Sequence, residues 1–252
     1  MADIQINEIA LWIVENEQVT EQILLDKYHG LLNPEELKRL ERFVFPGYKK
    51  QFLISRALVR TVLGQYLEQP PESLAFTRNA YGKPRIASIE KSLPISFSLS
   101  HTNGLTVLAV SLSGELGVDV EHFTRKVNIL KLANRYFSKQ EYEELAVMGV
   151  KECDKRFYKL WTLKEAYIKA CGMGLAIPLR DFSFSFRNEE IAISFSDERD
   201  DIPERWQFWQ FDYKSKFQLA LAQKRKNKES LKKIVIKQGR PLKNFQLLNQ
   251  AI

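Results

Sequence analysis

The chain has 252 residues, 44% of them hydrophobic and 27% charged, a composition that is typical of a folded globular protein and excludes a disordered, collagen-like or coiled-coil chain. No apolar run approaches the roughly 20 residues of a membrane-spanning helix, and the first residues lack the basic and apolar segments of a secretory signal. The net charge is +7, but nine Lys or Arg and one acid lie in residues 224–252, so this segment carries +8 and the remainder is nearly neutral.

The cysteine and histidine content bears on the compartment and on metals. Two cysteines, Cys153 and Cys171, are too few for a disulfide framework and are typical of a reducing compartment. Three scattered histidines argue against a structural zinc site. Together with the missing signal segment, these counts predict a cytoplasmic protein.

The basic segment 224–252 has two interpretations. It is either an arm for an acidic partner, nucleic acid or protein, or a solvated and partly ordered extension. The apolar run Ile234-Val235-Ile236 indicates that part of the segment adds a strand.

The first helices are predicted from capping and breaker residues. Asn33 and Pro34 are typical of a helix start, and two acids follow near its positive end. A longer helix is predicted over 50–68, where Pro70-Pro71 ends it. Arg56 falls within the apolar stripe of this helix, so its side chain either extends to solvent or belongs to an anion site.

The order of the remaining elements indicates the fold class. Strands joined by turns are predicted over 73–122, and Ser138 opens a short helix with a capping box. A second, longer helix is predicted from an Asp154 cap to its terminator Gly172, and strands return from Phe182 onward. Helix, strands, helices and strands in this order predict an α+β fold rather than a doubly wound parallel sheet.

A pair of carboxylates lies on one predicted strand. Residues 116–121 alternate strictly, which places Asp119 and Glu121 on the same face. Two carboxylates this close repel and raise each other's pKa unless a cation lies between them. Oxygen ligands without sulfur or imidazole nearby favour Mg²⁺. The pair alone is weak evidence, because Asp-x-Glu occurs on many solvated strand faces.

A second charged group lies on the predicted long helix. Glu165 and Lys169 are spaced i, i+4, which by itself is typical of an exposed helix pair. Trp161 and Lys164 lie beside them, and a lysine within an apolar stripe needs an anion or a route to solvent. A third carboxylate here could complete a metal site, and the lysines could hold phosphate oxygens.

Two turns could also meet an anion. Arg78 and Lys83 are cations at a glycine-containing turn, which is otherwise an ordinary charged turn. Ser98, Ser100 and His101 end a strand at another such turn, where hydroxyl, imidazole and backbone N–H groups can bind an anion. A histidine in that position is otherwise structural.

Taken in order, three motifs resemble the signature of the 4′-phosphopantetheinyl transferases of the Sfp type. They are Ser98-Leu99-Ser100-His101, Gly117-Val118-Asp119-Val120-Glu121 and Trp161-Thr162-Leu163-Lys164-Glu165-Ala166-Tyr167-Ile168-Lys169. Tyr81-Gly82-Lys83-Pro84, Phe137-Ser138 and Gly172-Met173-Gly174-Leu175 match the family pattern as well. The resemblance leaves the basic segment unmatched.

The resemblance implies a reaction and an architecture. Such enzymes transfer the phosphopantetheine arm of coenzyme A to a serine of an apo acyl or peptidyl carrier protein, with Mg²⁺ as the metal and Mn²⁺ as a conceivable substitute. The family also implies two similar α+β halves related by a pseudo-twofold, 1–113 and 114–223, with coenzyme A in the cleft between them. We expect a monomer that carries the extension 224–252 and binds neither nucleic acid nor membrane.

The resemblance also assigns roles to residues. Asp119, Glu121 and Glu165 would hold Mg²⁺ against the pyrophosphate. Glu165 would also be the base for the carrier serine, and Lys169 would neutralise the pyrophosphate. The coenzyme A contacts would be Arg39, Arg56, Arg78, Lys83, Ser98, Ser100, His101, Asp119, Lys164 and Lys169.

The sequence leaves two other functions to be weighed against the transferase. A magnesium-dependent nuclease or phosphoesterase would use Asp119, Glu121 and Glu165 and grip nucleic acid with the basic segment. The lysine four residues after Glu165, on a helix, counts against it. A non-enzymatic nucleic-acid-binding protein would need basic and aromatic residues interleaved along the body, which is nearly neutral.

Overall fold

The computed structural model describes residues 5–87, 94–123, 128–188, 190–225 and 232–248. The α-helices in these ranges are α1 (Gln22–Gly30), α2 (Pro34–Glu41), α3 (Pro46–Leu67), α4 (Ile129–Tyr136), α5 (Lys139–Ala146) and α6 (Val150–Cys171). The strands are β1 (Glu8–Glu15), β2 (Phe76–Arg78), β3 (Pro84–Ile86), β4 (Ser96–Thr102), β5 (Leu105–Ser111), β6 (Leu116–His122), β7 (Phe182–Arg187), β8 (Glu190–Phe195), β9 (Trp206–Tyr213), β10 (Phe217–Lys224), β11 (Lys233–Gly239) and β12 (Phe245–Leu247). None of the helices described is long and apolar enough to cross a membrane.

The strands form small sheets, and the chain has the predicted α+β fold. The larger sheet has the order β12-β11-β1-β5-β4, and a three-stranded sheet has the order β6-β10-β9. Two hairpins, β2-β3 and β7-β8, complete the set. All these pairings are antiparallel except that of β1 with β11, which is parallel.

The chain divides into two compact units. The first contains the described residues of Met1–Arg78, Pro84–Ser113 and Ser230–Ile252, and the second those of Asn79–Lys83 and Gly114–Glu229. Each unit is discontinuous in sequence, whereas the expected halves 1–113 and 114–223 are continuous. The turn 79–83 belongs to the second unit, and the described end of the chain belongs to the first.

In the first unit, α3 packs on the larger sheet. Ile54, Leu58 and Val62 of α3 are fully buried in one cluster with Leu108 and Val110 of β5. The helix begins at Pro46, one turn earlier than predicted, because a proline at the first position needs no partner for a backbone N–H. Burial of this apolar face fixes the position of the polar residues on α3.

In the second unit, α6 packs on the three-stranded sheet. Leu160, Leu163 and Ile168 of α6 share a buried cluster with Ala220 and Ala222 of β10. The small alanines allow the helix to lie close to the sheet. This packing brings the two charged motifs of the sequence, one on β6 and one on α6, into the same unit.

The helix boundaries test the capping predictions. The capping boxes at Asn33 and Ser138 are confirmed, and Gly172 ends α6 in the left-handed conformation as predicted. The Asp154 cap is wrong. The amide of Cys153 donates to the carbonyl of Gly149 at 2.8 Å, so α6 already turns before residue 154.

The basic segment is built into the first unit. The predicted strand at Ile234–Ile236 is confirmed, since β11 lies between β1 and β12. Arg240 and Lys243 both bond Glu21, at 3.0 and 2.7 Å. The cations at 226 and 228 lie outside the described residues. The described part of the segment therefore resembles neither a dangling arm nor a solvated tail.

Candidate active site

Strand β6 and helix α6 touch backbone to backbone at Gly117. A Cβ atom here would lie 1.9 Å from the carbonyl oxygen of Ala166 and 2.6 Å from the amide nitrogen of Ala170. Real Cβ atoms do not approach other atoms this closely, so a glycine is required. The contact brings the charged residues that flank it, Asp119 on β6 and Lys169 on α6, within bonding distance.

Asp119 and Lys169 form an ion pair. Lys169 Nζ donates to Asp119 Oδ1 over 2.6 Å, a charge-assisted hydrogen bond. The Asp119 side chain is 6% exposed and that of Lys169 is 30% exposed. The carboxylate is therefore held in the protein, while the ammonium is accessible to a substrate from solvent.

Glu165 lies one helical turn before Lys169 and is electrostatically coupled to the same group. Burial is the main reason that the pKa of Glu165 is raised to about 7, and the negative charges of Asp119 and Glu121 contribute to the rise. The positive charge of Lys169 acts in the opposite direction. Three carboxylates and one ammonium thus share a site with an excess of negative charge.

The donor atoms of the three carboxylates are of the kind that a hard divalent cation binds. In the described parts of the chain, no three His, Cys, Asp or Glu side chains are drawn together closely enough to hold a metal ion. Asp119, Glu121 and Glu165 nevertheless offer only the oxygen donors that Mg²⁺ prefers. The charges of Asp119 and Glu121, which add to the effect of burial on the pKa of Glu165, are charges that a divalent cation would neutralise.

Lys164 does not belong to this site, which corrects its expected contact with coenzyme A. Its side chain is fully buried and lies 2.8 Å from Glu141 Oε2, a carboxylate that is 1% exposed. The ammonium also donates to the carbonyl oxygens of Leu179 and Phe182, at 2.7 and 2.6 Å. An ammonium with three protein acceptors and no route to solvent is structural. The helical wheel placed Lys164 correctly in the apolar stripe but could not show its distant partners.

Arg39, Arg56 and Arg78 lie near one another in the first unit. Burial lowers the pKa of Arg56, and the charges of Arg39 and Arg78 lower it further against the opposing effect of Glu36. The guanidinium carbons of Arg39 and Arg56 lie 5.6 and 5.8 Å from the centre of the Phe52 ring. Arg56 Nε is buried and has no acceptor among the described residues. These observations favour the anion site over a side chain extended to solvent.

Ser98, Ser100 and His101 lie on β4, an edge strand of the larger sheet. Ser98 and Ser100 are 7% and 6% exposed, while His101 is exposed. Because side chains alternate along a strand, His101 lies on the opposite face from the two serines. The three residues therefore do not line a single face of β4.

Lys83 lies in the turn 79–83, where its ammonium is bonded to the backbone of the second unit. It donates to the carbonyl oxygens of Ala170 and Leu116, at 2.8 and 3.2 Å. Asn79, which the sequence did not single out, donates to the carbonyl of Gly172 over 2.7 Å. The only local signal for Asn79 was its position three residues before a turn glycine.

Comparisons with known proteins identify one family, which two family models match. The model of the 4′-phosphopantetheinyl transferase superfamily matches residues 115–222. A second family model, 4′-phosphopantetheinyl transferase, N-terminal, matches residues 21–113. The two matches together span both units.

Individual relatives are similar over most of their length. The 4′-phosphopantetheinyl transferase HetI of Nostoc sp. is 34% identical over 68% of this chain and 71% of its own. The 4′-phosphopantetheinyl transferase Sfp of Bacillus subtilis is 30% identical over 68% of this chain and 75% of its own. The protein slr0495 of Synechocystis sp. is 37% identical, and that match covers 62% of this chain and 63% of the relative.

Proposed function

Because this chain belongs to the 4′-phosphopantetheinyl transferase superfamily, we propose that it transfers the phosphopantetheine arm of coenzyme A to a serine of an apo acyl or peptidyl carrier protein. The observation that carries this proposal is the site on β6 and α6, where Lys169 pairs with Asp119 beside Glu165. The second product is adenosine 3′,5′-bisphosphate.

The transfer is a displacement at phosphorus. The serine Oγ forms a bond to the phosphorus that carries pantetheine, and the bond from this phosphorus to the bridging oxygen of the pyrophosphate breaks. The leaving adenosine 3′,5′-bisphosphate keeps the electron pair on that oxygen. Such a reaction depends on neutralising oxygen charge and on positioning the attacking hydroxyl in line.

Glu165 and Lys169 have different roles in that step. Glu165 accepts the proton of the serine hydroxyl, directly or through water, because a hydroxyl is a poor nucleophile until a base takes its proton. Lys169 places its positive charge on the pyrophosphate, and the 30% exposure of its side chain supports this role. Pairing with Asp119 holds the ammonium in place beforehand.

Asp119, Glu121 and Glu165 would hold the divalent cation. Mg²⁺, or Mn²⁺ in its place, would neutralise charge on the pyrophosphate oxygens when bound. The support for this assignment is the carboxylate-only donor set and the raised pKa of Glu165, which comes mainly from burial and in part from the negative charges of Asp119 and Glu121.

The arginine group of the first unit is the proposed binding site for the 3′-phosphate of coenzyme A. Arg39, Arg56 and Arg78 bring three positive charges together, and the buried Nε of Arg56 offers a donor for a phosphate oxygen. His101, Ser98 and Ser100 are proposed for the adenine end on the family resemblance. Lys164 is excluded from this set, since its ammonium is enclosed in the core.

The nuclease alternative is not supported by the structure of the basic segment. It needed the basic segment to grip nucleic acid, and the described part of that segment is a strand of the larger sheet. Arg240 and Lys243 are paired with Glu21. No observation on the described residues favours this alternative.

The reaction class can be tested by intact-mass spectrometry. An apo carrier protein is incubated with the full chain, coenzyme A and Mg²⁺, and a matched sample contains EDTA. We expect the carrier to gain the mass of one phosphopantetheine group only when the metal is present. No gain with fatty-acid, polyketide and peptide carriers alike would contradict the proposal.

A further inference from the structure

The turn 79–83 is a tightly bonded structure on the end of α6. Asn79 Oδ1 accepts hydrogen bonds from the amides of Tyr81 and Lys83, at 3.0 and 2.8 Å. Gly82 has a φ of +89°, which a glycine adopts without strain. Hydrogen bonds within the turn, from both the Asn79 side chain and the backbone, therefore hold its shape.

Two side chains of this turn bond the carboxyl end of α6. Asn79 Nδ2 donates to the carbonyl oxygen of Gly172, and Lys83 Nζ donates to that of Ala170. The last carbonyls of a helix have no partners within it, and the negative end of the helix dipole attracts a cation. Lys83 and Asn79 supply donors to two of these carbonyls, those of Ala170 and Gly172.

The same ammonium reaches the strand that carries the carboxylates. Lys83 Nζ also donates to the carbonyl oxygen of Leu116 at the start of β6, over 3.2 Å. Ala170 is adjacent to Lys169, and Leu116 is adjacent to Gly117. One ammonium thus ties α6 to β6 next to their closest backbone contact.

The packing leaves this turn little freedom to shift. Gly172 ends α6 with a φ of +72°. A Cβ at this position would lie 2.8 Å from Lys83 Cδ and 3.1 Å from Asn79 Nδ2. The turn and the helix end therefore fit one another only with a glycine at 172.

We propose that the side chains of Lys83 and Asn79 form a clamp, and that they act as positioning groups for the transfer. The clamp holds the last turn of α6 against β6, and so it fixes Lys169 relative to Asp119. This inference rests on the proposed function. It assigns the Lys83 ammonium a role beyond the coenzyme A contact that the family resemblance implies, because the ammonium bonds two backbone carbonyls of the second unit.

The test is the variant Lys83→Met, which keeps the length of the side chain and removes its donors. We expect kcat to fall roughly 10- to 100-fold, since small displacements of catalytic groups have effects of that size, while KM for coenzyme A stays within about threefold. Amide exchange at the end of α6 should accelerate in the same variant. Lys83→Arg should restore part of kcat, and Asn79→Ala should show the same split in a milder form.

The matched control is Lys139→Met on α5, whose side chain is 88% exposed; it should change neither constant. A large rise in KM for coenzyme A with unchanged kcat and exchange would overturn the clamp and make Lys83 a substrate ligand. A lower melting temperature with unchanged kcat would overturn it as well. If wild-type protein transfers nothing, the proposed function fails, and the exchange at the end of α6 still tests the clamp.

Discussion

Two lysines of α6, Lys164 and Lys169, show how burial determines the role of a residue. Lys169 is partly exposed and paired with Asp119, whereas Lys164 is fully buried and paired with Glu141. Glu141 in turn accepts from the amide of Phe184 over 2.9 Å. The Lys164–Glu141 pair therefore joins α6, α5 and β7 inside the core.

Replacement of Lys164 should affect stability rather than coenzyme A binding. Lys164→Met leaves the Glu141 carboxylate buried without its cation, which costs about 3–5 kcal/mol of unfolding free energy in comparable pairs. Urea denaturation measures this loss. A stable variant with a strongly raised KM for coenzyme A would instead restore Lys164 to the binding site.

The pKa of Glu165 gives the metal-free protein a specific pH dependence. The folded protein holds a proton on Glu165 between pH values of about 4.5 and about 7 that the unfolded chain releases, so this group's contribution to stability falls as pH rises through that window. Glu165→Gln removes the effect. Relative to wild type, the variant should gain about 1–3 kcal/mol of unfolding free energy between pH 5 and pH 8.

Urea denaturation in EDTA at both pH values measures that difference. Titrating groups that are not coupled to Glu165 are common to both proteins and cancel in the comparison. A difference that is constant with pH would show that Glu165 titrates normally in the folded chain.

At the scale of elements, the contact between β6 and α6 determines the site. Gly117→Ala should force the strand and the helix apart, since the added Cβ would overlap the Ala166 carbonyl. We expect a loss of about 1–3 kcal/mol in stability, the usual range for overpacking, together with a larger loss of transfer than of coenzyme A binding. Kinetics and denaturation on the same sample measure both.

Gly30→Ala is the matched control for this variant. A Cβ at Gly30 would meet nothing within 4 Å, so stability and transfer should stay at the wild-type level. Full activity of Gly117→Ala would show that the close contact does not position the site.

At the scale of the whole molecule, two variants of the basic segment distinguish a role of its buried strand residues from a role of its exposed charges. Ile234 and Ile236 of β11 are 1% and 4% exposed, so a chain ended at residue 231 should lose both coenzyme A and carrier binding through unfolding of the first unit. Removing only exposed charge, with Lys233→Gln and Lys243→Gln, should change KM for the carrier by no more than about twofold. A selective loss of carrier binding in the second variant would support the interpretation of the segment as an arm for an acidic partner.

The sequence predicted the local features well and the long-range ones poorly. The capping boxes at Asn33 and Ser138 depend on neighbouring residues and are confirmed, and the predicted strand through Asp119 is β6. The parallel pairing of β11 with β1 joins parts of the chain that are far apart in sequence, which no local pattern reveals.

The predictions for the candidate site show the same difference between local and long-range features. Glu165 and Lys169 were placed on one helix by their spacing, and Asp119 joined them through the family resemblance. Lys164 was misjudged because its partners, the Glu141 carboxylate and two backbone carbonyls, lie at distant positions. The backbone bonds of Lys83 were not predicted for the same reason. Backbone acceptors of this kind leave no pattern in the sequence.

The most direct test of the account is the intact mass of an apo carrier protein after incubation with coenzyme A, Mg²⁺ and either Glu165→Gln or Glu143→Gln. Glu143 is an exposed glutamate of α5, so its variant should modify the carrier as wild type does. We expect Glu165→Gln to leave the carrier unmodified while remaining folded. Wild-type turnover by Glu165→Gln would contradict the central claim that the site on β6 and α6 performs the transfer.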